Sequence, residues 1–276
     1  QYVKKPLYAH LHGANLVIKR AKSNSKRGLK YLPPKPPLRL LDISDASHAG
    51  KRTSYAIEGQ INLLTSETSL QLRPGSNELT PDELRRFLSS GSAAHPLFGS
   101  GKTAKRISHS TSHAESLAKN SSSGHASMIA MRLTEMACPF KDHKTGLPRA
   151  PTIDELLDLE VDGHYDVPID SLTDCRDLYE LATGVKGVPQ DKTQRLLILS
   201  VREKIMCWKL RHFGWISTAD MCANNLTKPD AKDQSLNLLM DTGRWRTLQG
   251  GLIRRANKRR TTFTETDIED MLQTMD

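Results

Sequence analysis

The sequence predicts a mixed α/β fold, with a sheet covered by helices. Three observations carry this. Short apolar runs suited to strands come early, at residues 38–43 and 53–64. Helical stretches then alternate with two more short runs, at 167–173 and 212–216. Fourteen Pro and 17 Gly punctuate the chain, too many for one long helical array. Strands first, then helix–strand–helix–helix–strand–helix, is the order of a sheet with helices packed on it. No window approaches about 18 uncharged apolar residues, so no membrane-crossing helix and no membrane partner are expected.

The elements follow in order. Residues 9–31 read as a basic helix that weakens at Ser23–Ser25 and stops before Pro33-Pro34. The proline-rich 33–37 segment is extended and reads as a linker. Strands follow at 38–43 and 53–64, the second alternating through Tyr55, Ile57 and Ile61. Residues 65–108 are polar, with breakers at Pro74-Gly75 and 91–94, and should hold loops and a third strand. A short helix is expected at 81–88, with Pro81 in its first turn after Thr80. The next helix is 112–137, dented at 121–124, and 139–151 reads as a loop. A strand at 167–173 leads into a short helix at 175–181 ended by Gly184. The strongest helix is 191–210. A strand at 212–216 and a last helix at 218–226 follow. Trp208 and Trp215 sit among apolar neighbours and read as core.

Charge is uneven. The net formal charge is +9. Residues 1–41 carry ten Lys or Arg and no acid, and residues 244–260 carry seven and no acid. Basic flanks around a mixed centre suit a polyanion, most simply nucleic acid. The bland reading is a solvated surface or basic arms. Four Cys (138, 175, 207 and 222) lie far apart with no CxxC pair, which excludes a zinc ribbon. Gly99-Ser100-Gly101-Lys102-Thr103 lacks the first Gly of a phosphate-binding loop, because Pro96 stands there. No apolar leader follows Gln1, so the chain reads as a fragment of a longer polypeptide that is not secreted.

Four places put polar residues where strand or helix ends should face a site. They are Ser44-Asp45-Ala46-Ser47, Ser110-Thr111-Ser112-His113-Ala114-Glu115, Leu172-Thr173-Asp174-Cys175, and the stretch from Asp220 to Lys228. Carboxylates meeting at one sheet edge suit Mg²⁺, which wants oxygen ligands. Taken singly, each is as readily a turn residue or a helix cap.

Together with Ala223-Asn224-Asn225-Leu226-Thr227-Lys228-Pro229, these motifs resemble the ribonuclease H domain of copia-type LTR-retrotransposon Pol polyproteins. The resemblance spans roughly residues 38–230 and rests on five motifs in order. It implies an RNase H-like fold, a five-stranded mixed sheet with flanking helices. It implies Mg²⁺- or Mn²⁺-dependent cleavage of the RNA strand of RNA–DNA hybrids, leaving a 3′-hydroxyl and a 5′-phosphate. Asp45, Glu115 and Asp174 match the family's first three acidic metal ligands, with Asp45 bridging two ions. Asn224 falls where the family carries its fourth catalytic acid, so the second ion should bind more weakly. Asp220, one helical turn earlier, is a candidate substitute, although it also suits a first-turn position after Ser217. Residues 1–37 resemble the connection trailing a reverse transcriptase, the partner expected in the same polyprotein. Residues 231–276 read as a basic-then-acidic tail. The expected location is cytoplasmic, in a virus-like particle, or nuclear.

His113, Arg176 and Lys192 are the expected substrate contacts, since hybrids are gripped largely through phosphates and shape. His109 is a further loop histidine beside the same turn. Three functions stay open. The first is a hybrid endonuclease. The second is a decayed module that still binds nucleic acid, motivated by Asn224. The third is a structural partner of the polymerase.

Overall fold

The computed structural model describes residues 8–23, 25, 28–48, 55–66, 92–137, 140–228 and 234–245. The helix expected at 81–88 and Cys138 lie outside the described residues. Helix α1 (Tyr8–Ser23) comes first, with Leu11, Leu16 and Ile18 exposed. The following segment lies against the C-terminal part of the chain: the Lys30 N–H donates to the Met240 carbonyl at 3.1 Å.

Six strands build one sheet, where five are expected. They are β1 (Leu38–Ser47), β2 (Tyr55–Ser66), β3 (Ser92–Ile107), β4 (Ile169–Thr173), β5 (His212–Trp215) and β6 (Arg244–Trp245). The order across the sheet is β5-β4-β1-β2-β3-β6. Neighbours β1, β2, β3 and β6 pair antiparallel, whereas β4 pairs parallel with both β1 and β5. This mixed sheet with flanking helices is the fold class expected from the sequence. The added strand comes from residues read as the start of the tail. They form helix α7 (Gln234–Thr242) and then β6, whose Trp245 is 2% exposed.

Strand β1 is central and buried on both faces, and it carries the buried polar residues Arg39, Asp42, Ser44 and Asp45 among its apolar ones. Side chains alternate across a strand. Leu40 packs with Ala126 and Ala130 of α2 (Thr111–Met136), and with Ile198 and Val201 of α5 (Lys192–Met206). Leu41 and Ile43 point to the other face, against Ile216, Met221, Cys222 and Ala223.

Several expectations change. Residues 92–94 are strand rather than breaker, because the Ala94 N–H reaches the Gly243 carbonyl at 2.9 Å and its side chain enters the core. Helix α2 runs through 121–124 without a dent. Its serines turn inward: Ser122 donates to Asp42, and Ser123 to the Asn120 carbonyl. The sequence reading missed helix α3 (Ile153–Asp162), although its signals are local. Thr152 and Glu155 form a capping box, and Gly163 closes the helix at φ 66°. Helix α4 (Arg176–Ala182) starts from Cys175 as expected. Trp208 is 52% exposed rather than core, because α5 ends at Met206 and the chain turns through Trp208 at φ 59°.

The helix expected at 218–226 is two pieces, a 3₁₀ turn (Thr218–Asp220) and α6 (Asn224–Thr227). The Asn224 side-chain amide donates to the Thr218 carbonyl at 3.0 Å. The same carbonyl accepts the Met221 N–H at 3.3 Å, which closes a 3₁₀ turn instead of an α-helical one, and the side chain takes its remaining capacity.

Candidate functional site

Asp45 lies near the end of β1, Glu115 in the first turns of α2, and Asp174 immediately after β4. One carboxylate oxygen from each lies within 4.8 Å of the others. Asp45 and Glu115 are buried and Asp174 is half-buried. The adjacent ends of two parallel strands and a helix start thus bring together three acids that are distant in the chain.

Local structure aims each acid. Ser110 caps α2 by accepting the His113 N–H at 3.1 Å, which fixes where the helix begins. The Ala46 N–H donates to Glu115 Oε1 at 3.2 Å, tying the acid to β1. The Trp215 indole donates to the Asp174 carbonyl at 3.0 Å and holds the turn after β4. Behind the acids, Lys119 lies one helical turn beyond Glu115 and is wholly buried. Its ammonium reaches the Leu172 carbonyl at 2.8 Å, Ser171 Oγ at 2.9 Å and Asp42 Oδ2 at 3.4 Å. Asp42 also accepts from Ser122, Ser171 and Asn62. Buried charge is tolerated when it is paired and hydrogen-bonded in this way.

The electrostatics follow from crowding. Burial, then the charges of Asp45 and Asp174, push the Glu115 carboxyl up to about 8. Burial and Asp45 also raise Asp174. Among the described residues Glu115 Oε2, in a residue only 4% exposed, has no hydrogen-bond partner. A buried acceptor of this kind is costly unless something cationic or protic meets it. All-oxygen donors, three clustered carboxylates and this unmet atom fit a hard divalent cation such as Mg²⁺ or Mn²⁺.

The fourth position differs in kind. Asn224 is buried, and its Oδ1 accepts from the Lys228 ammonium at 2.7 Å. Lys228 also donates to Asp45 Oδ1 at 3.1 Å, and Thr227 Oγ1 donates to Asp45 Oδ2. Asp220 is buried at the end of its 3₁₀ turn and is not a member of the three-acid group. Two glycines seat α6 on the sheet. A Cβ on Gly59 would lie 2.7 Å from Thr227 Cγ2 and 2.9 Å from the Ala223 carbonyl oxygen, and one on Gly101 2.8 Å from the Leu226 carbonyl oxygen. Gly101 is thus a packing residue, which accounts for the glycine that mimics a phosphate loop.

The expected substrate contacts separate. Arg176 is exposed, sits over the Trp215 ring at 5.7 Å and pairs with Glu180 at 2.6 Å. Lys192 is exposed at the start of α5. His113 is only 2% exposed, so its ring is enclosed rather than presented. Burial lowers its pKa, and its charged neighbours are Asp191 and His109 rather than the three acids. His109 is exposed. Sequence reasoning missed Lys119, Thr227 and Lys228 as site-forming residues. The last two were findable from the motif that ends in Thr-Lys, whereas the partners that bury Lys119 lie on strands distant from it in the chain.

No protein-family model and no curated protein sequence matches the chain. Among solved structures, RNase H1 from the halophilic archaeon Halobacterium salinarum NRC-1 is 12% identical, with a TM-score of 0.36 over 72% of this chain and 98% of that one. The N-terminal RNase H domain of rv2228c from Mycobacterium tuberculosis is 14% identical, with a TM-score of 0.35 over 72% and 96%. LC11-RNase H1, isolated from compost by a metagenomic approach, is 15% identical, with a TM-score of 0.35 over 72% and 98%.

Proposed function

We propose that this chain is a metal-dependent endonuclease that cleaves the RNA strand of RNA–DNA hybrids. The observation that carries the reading is the convergence of Asp45, Glu115 and Asp174, one carboxylate oxygen from each within 4.8 Å of the others, together with a buried Glu115 oxygen that no donor meets. A divalent ion held there would supply positive charge for a phosphodiester and its attacking water. The chain's own groups do the rest. Asp45, Glu115 and Asp174 hold the cation. Lys119, through the Leu172 carbonyl and Ser171, keeps α2 and β4 in fixed relation, and with them Glu115 and Asp174. Trp215 steadies the Asp174 backbone. Arg176 and Lys192 are our assigned phosphate contacts, and their exposure supports this. In the reaction water attacks phosphorus, the bond to the 3′-oxygen breaks, and that oxygen leaves as a 3′-hydroxyl, with a 5′-phosphate on the other product.

The biological setting we infer is a copia-type retrotransposon Pol polyprotein. The domain would follow a reverse transcriptase, with residues 1–37 as the connection, 38–230 together with α7 and β6 as the nuclease domain, and the residues after 245 as a tail. Its place would be a cytoplasmic virus-like particle or the nucleus. Among the described residues, no helix is long and apolar enough to cross a membrane.

A second reading is favoured by Asn224, which adds no charge and spends its side chain on Thr218 and Lys228. In it the chain binds hybrids without cutting them. One experiment separates the two: incubation of a labelled RNA–DNA hybrid with the purified chain in Mg²⁺ or Mn²⁺, with Asp45→Asn as the blank. We expect metal-dependent cutting of the RNA strand that the substitution abolishes. Binding with no cutting in either metal would overturn the nuclease reading and leave the binding module.

A further inference from the structure

Asp45 is expected to bridge two ions, yet both of its oxygens are already engaged. Thr227 donates to one, and the Lys228 ammonium lies 3.1 Å from the other. The same ammonium lies 2.7 Å from Asn224 Oδ1. It therefore occupies the space between residues 45 and 224, where a second cation would be needed.

This differs from an ordinary surface pair. Such pairs join two solvated groups and contribute little. Here the Lys228 side chain is 43% exposed, but the Asp45 carboxylate it meets is wholly buried. The lysine is also held in place by its backbone. Its N–H donates to the Asn224 carbonyl at 2.8 Å, and α6 is pressed onto β2 and β3 over Gly59 and Gly101.

Charge counting points the same way. Three ionised carboxylates bear three negative charges, because residue 224 is neutral. One divalent ion with one ammonium balances them. Two divalent ions beside the ammonium would leave an excess of two positive charges in a largely buried site, which is unfavourable.

We propose that the Lys228 ammonium is the second cation of this site, so that the chain takes a single divalent ion, on the Glu115 and Asp174 side of Asp45. The proposal rests on the metal reading of the three carboxylates given above.

The test is a count of bound Mn²⁺ per chain, from the electron paramagnetic resonance signal of the free ion. It compares three proteins: wild type, Asn224→Asp, and Asn224→Asp combined with Lys228→Met. Circular dichroism checks that each is folded. The expected counts at saturation are one, one and two. Two ions in the wild type, or two in Asn224→Asp alone, would overturn the role of the lysine while leaving the metal site standing. A single ion in the double variant would overturn it as well. No Mn²⁺ bound by any folded protein would overturn both the lysine proposal and the metal reading. The wild-type count needs no substitution, so it stands even where a variant fails to fold.

Discussion

Glu115 is under two opposed demands: burial favours its neutral form, and a cation would need its charge. The unfolded chain releases this proton near 4.5, whereas the folded, metal-free protein keeps it up to about 8. Between those values the folded state binds more protons, so its stability falls as the pH rises. The contribution of Glu115 is complete below about 4.5 and is lost as the pH passes through about 8. Asp174 is shifted in the same direction and adds to the trend. In EDTA the melting temperature should therefore be higher at pH 5 than at pH 8, and Glu115→Gln should flatten the slope. A metal-free melting temperature that is level across that range would contradict the burial argument. A saturating divalent cation should remove most of the difference, because it meets the charge that burial otherwise penalises.

The short α6 shows how one element decides the shape of a site. Gly59→Ala would bring a methyl group to 2.7 Å from Thr227 Cγ2 and 2.9 Å from the Ala223 carbonyl oxygen, so α6 would have to shift. Urea unfolding should show a loss of about 1–3 kcal/mol, as overpacking usually costs. Gly99→Ala, which meets nothing within 4 Å, should change stability by no more than about 0.5 kcal/mol. Equal effects at the two glycines would mean that α6 does not rest on β2 as described. Elements with strong local signals were legible in the sequence: the apolar run of β1, the long α5, and the Cys175 start of α4. Asp45, Glu115 and Asp174 were legible as candidates because motif order marks them. The division of residues 218–227 into two pieces was not, since it depends on the Asn224 side chain finding the Thr218 carbonyl. The Lys119–Asp42 pair was hidden for the same reason. Nothing in a linear pattern says that a lysine will be met by a serine and a carbonyl from a strand about fifty residues away.

Across the whole molecule, the net charge of +9 predicts how hybrid affinity should respond to salt. Each phosphate neutralised releases counterions and steepens the fall of log affinity with log salt by roughly 0.9. With Asp45→Asn used to prevent cutting, Arg176→Ala and Lys192→Ala should each make that slope shallower by about one. Slopes unchanged by both substitutions would remove these two side chains from the interface. The parallel pairing of β1 with β4 joins parts of the chain that are far apart: Leu40 stands opposite Ile169. Asp45 and Lys228, which touch across the site, are 183 residues apart in sequence. Timing during synthesis follows from this. A ribosome that has delivered β1 to β3 and α2 has delivered Asp45 and Glu115, but not Asp174 or the Thr227-Lys228 pair that meets Asp45. A chain whose translation stops anywhere short of that pair carries an incomplete site, so no N-terminal piece of the fold can assemble it ahead of the rest.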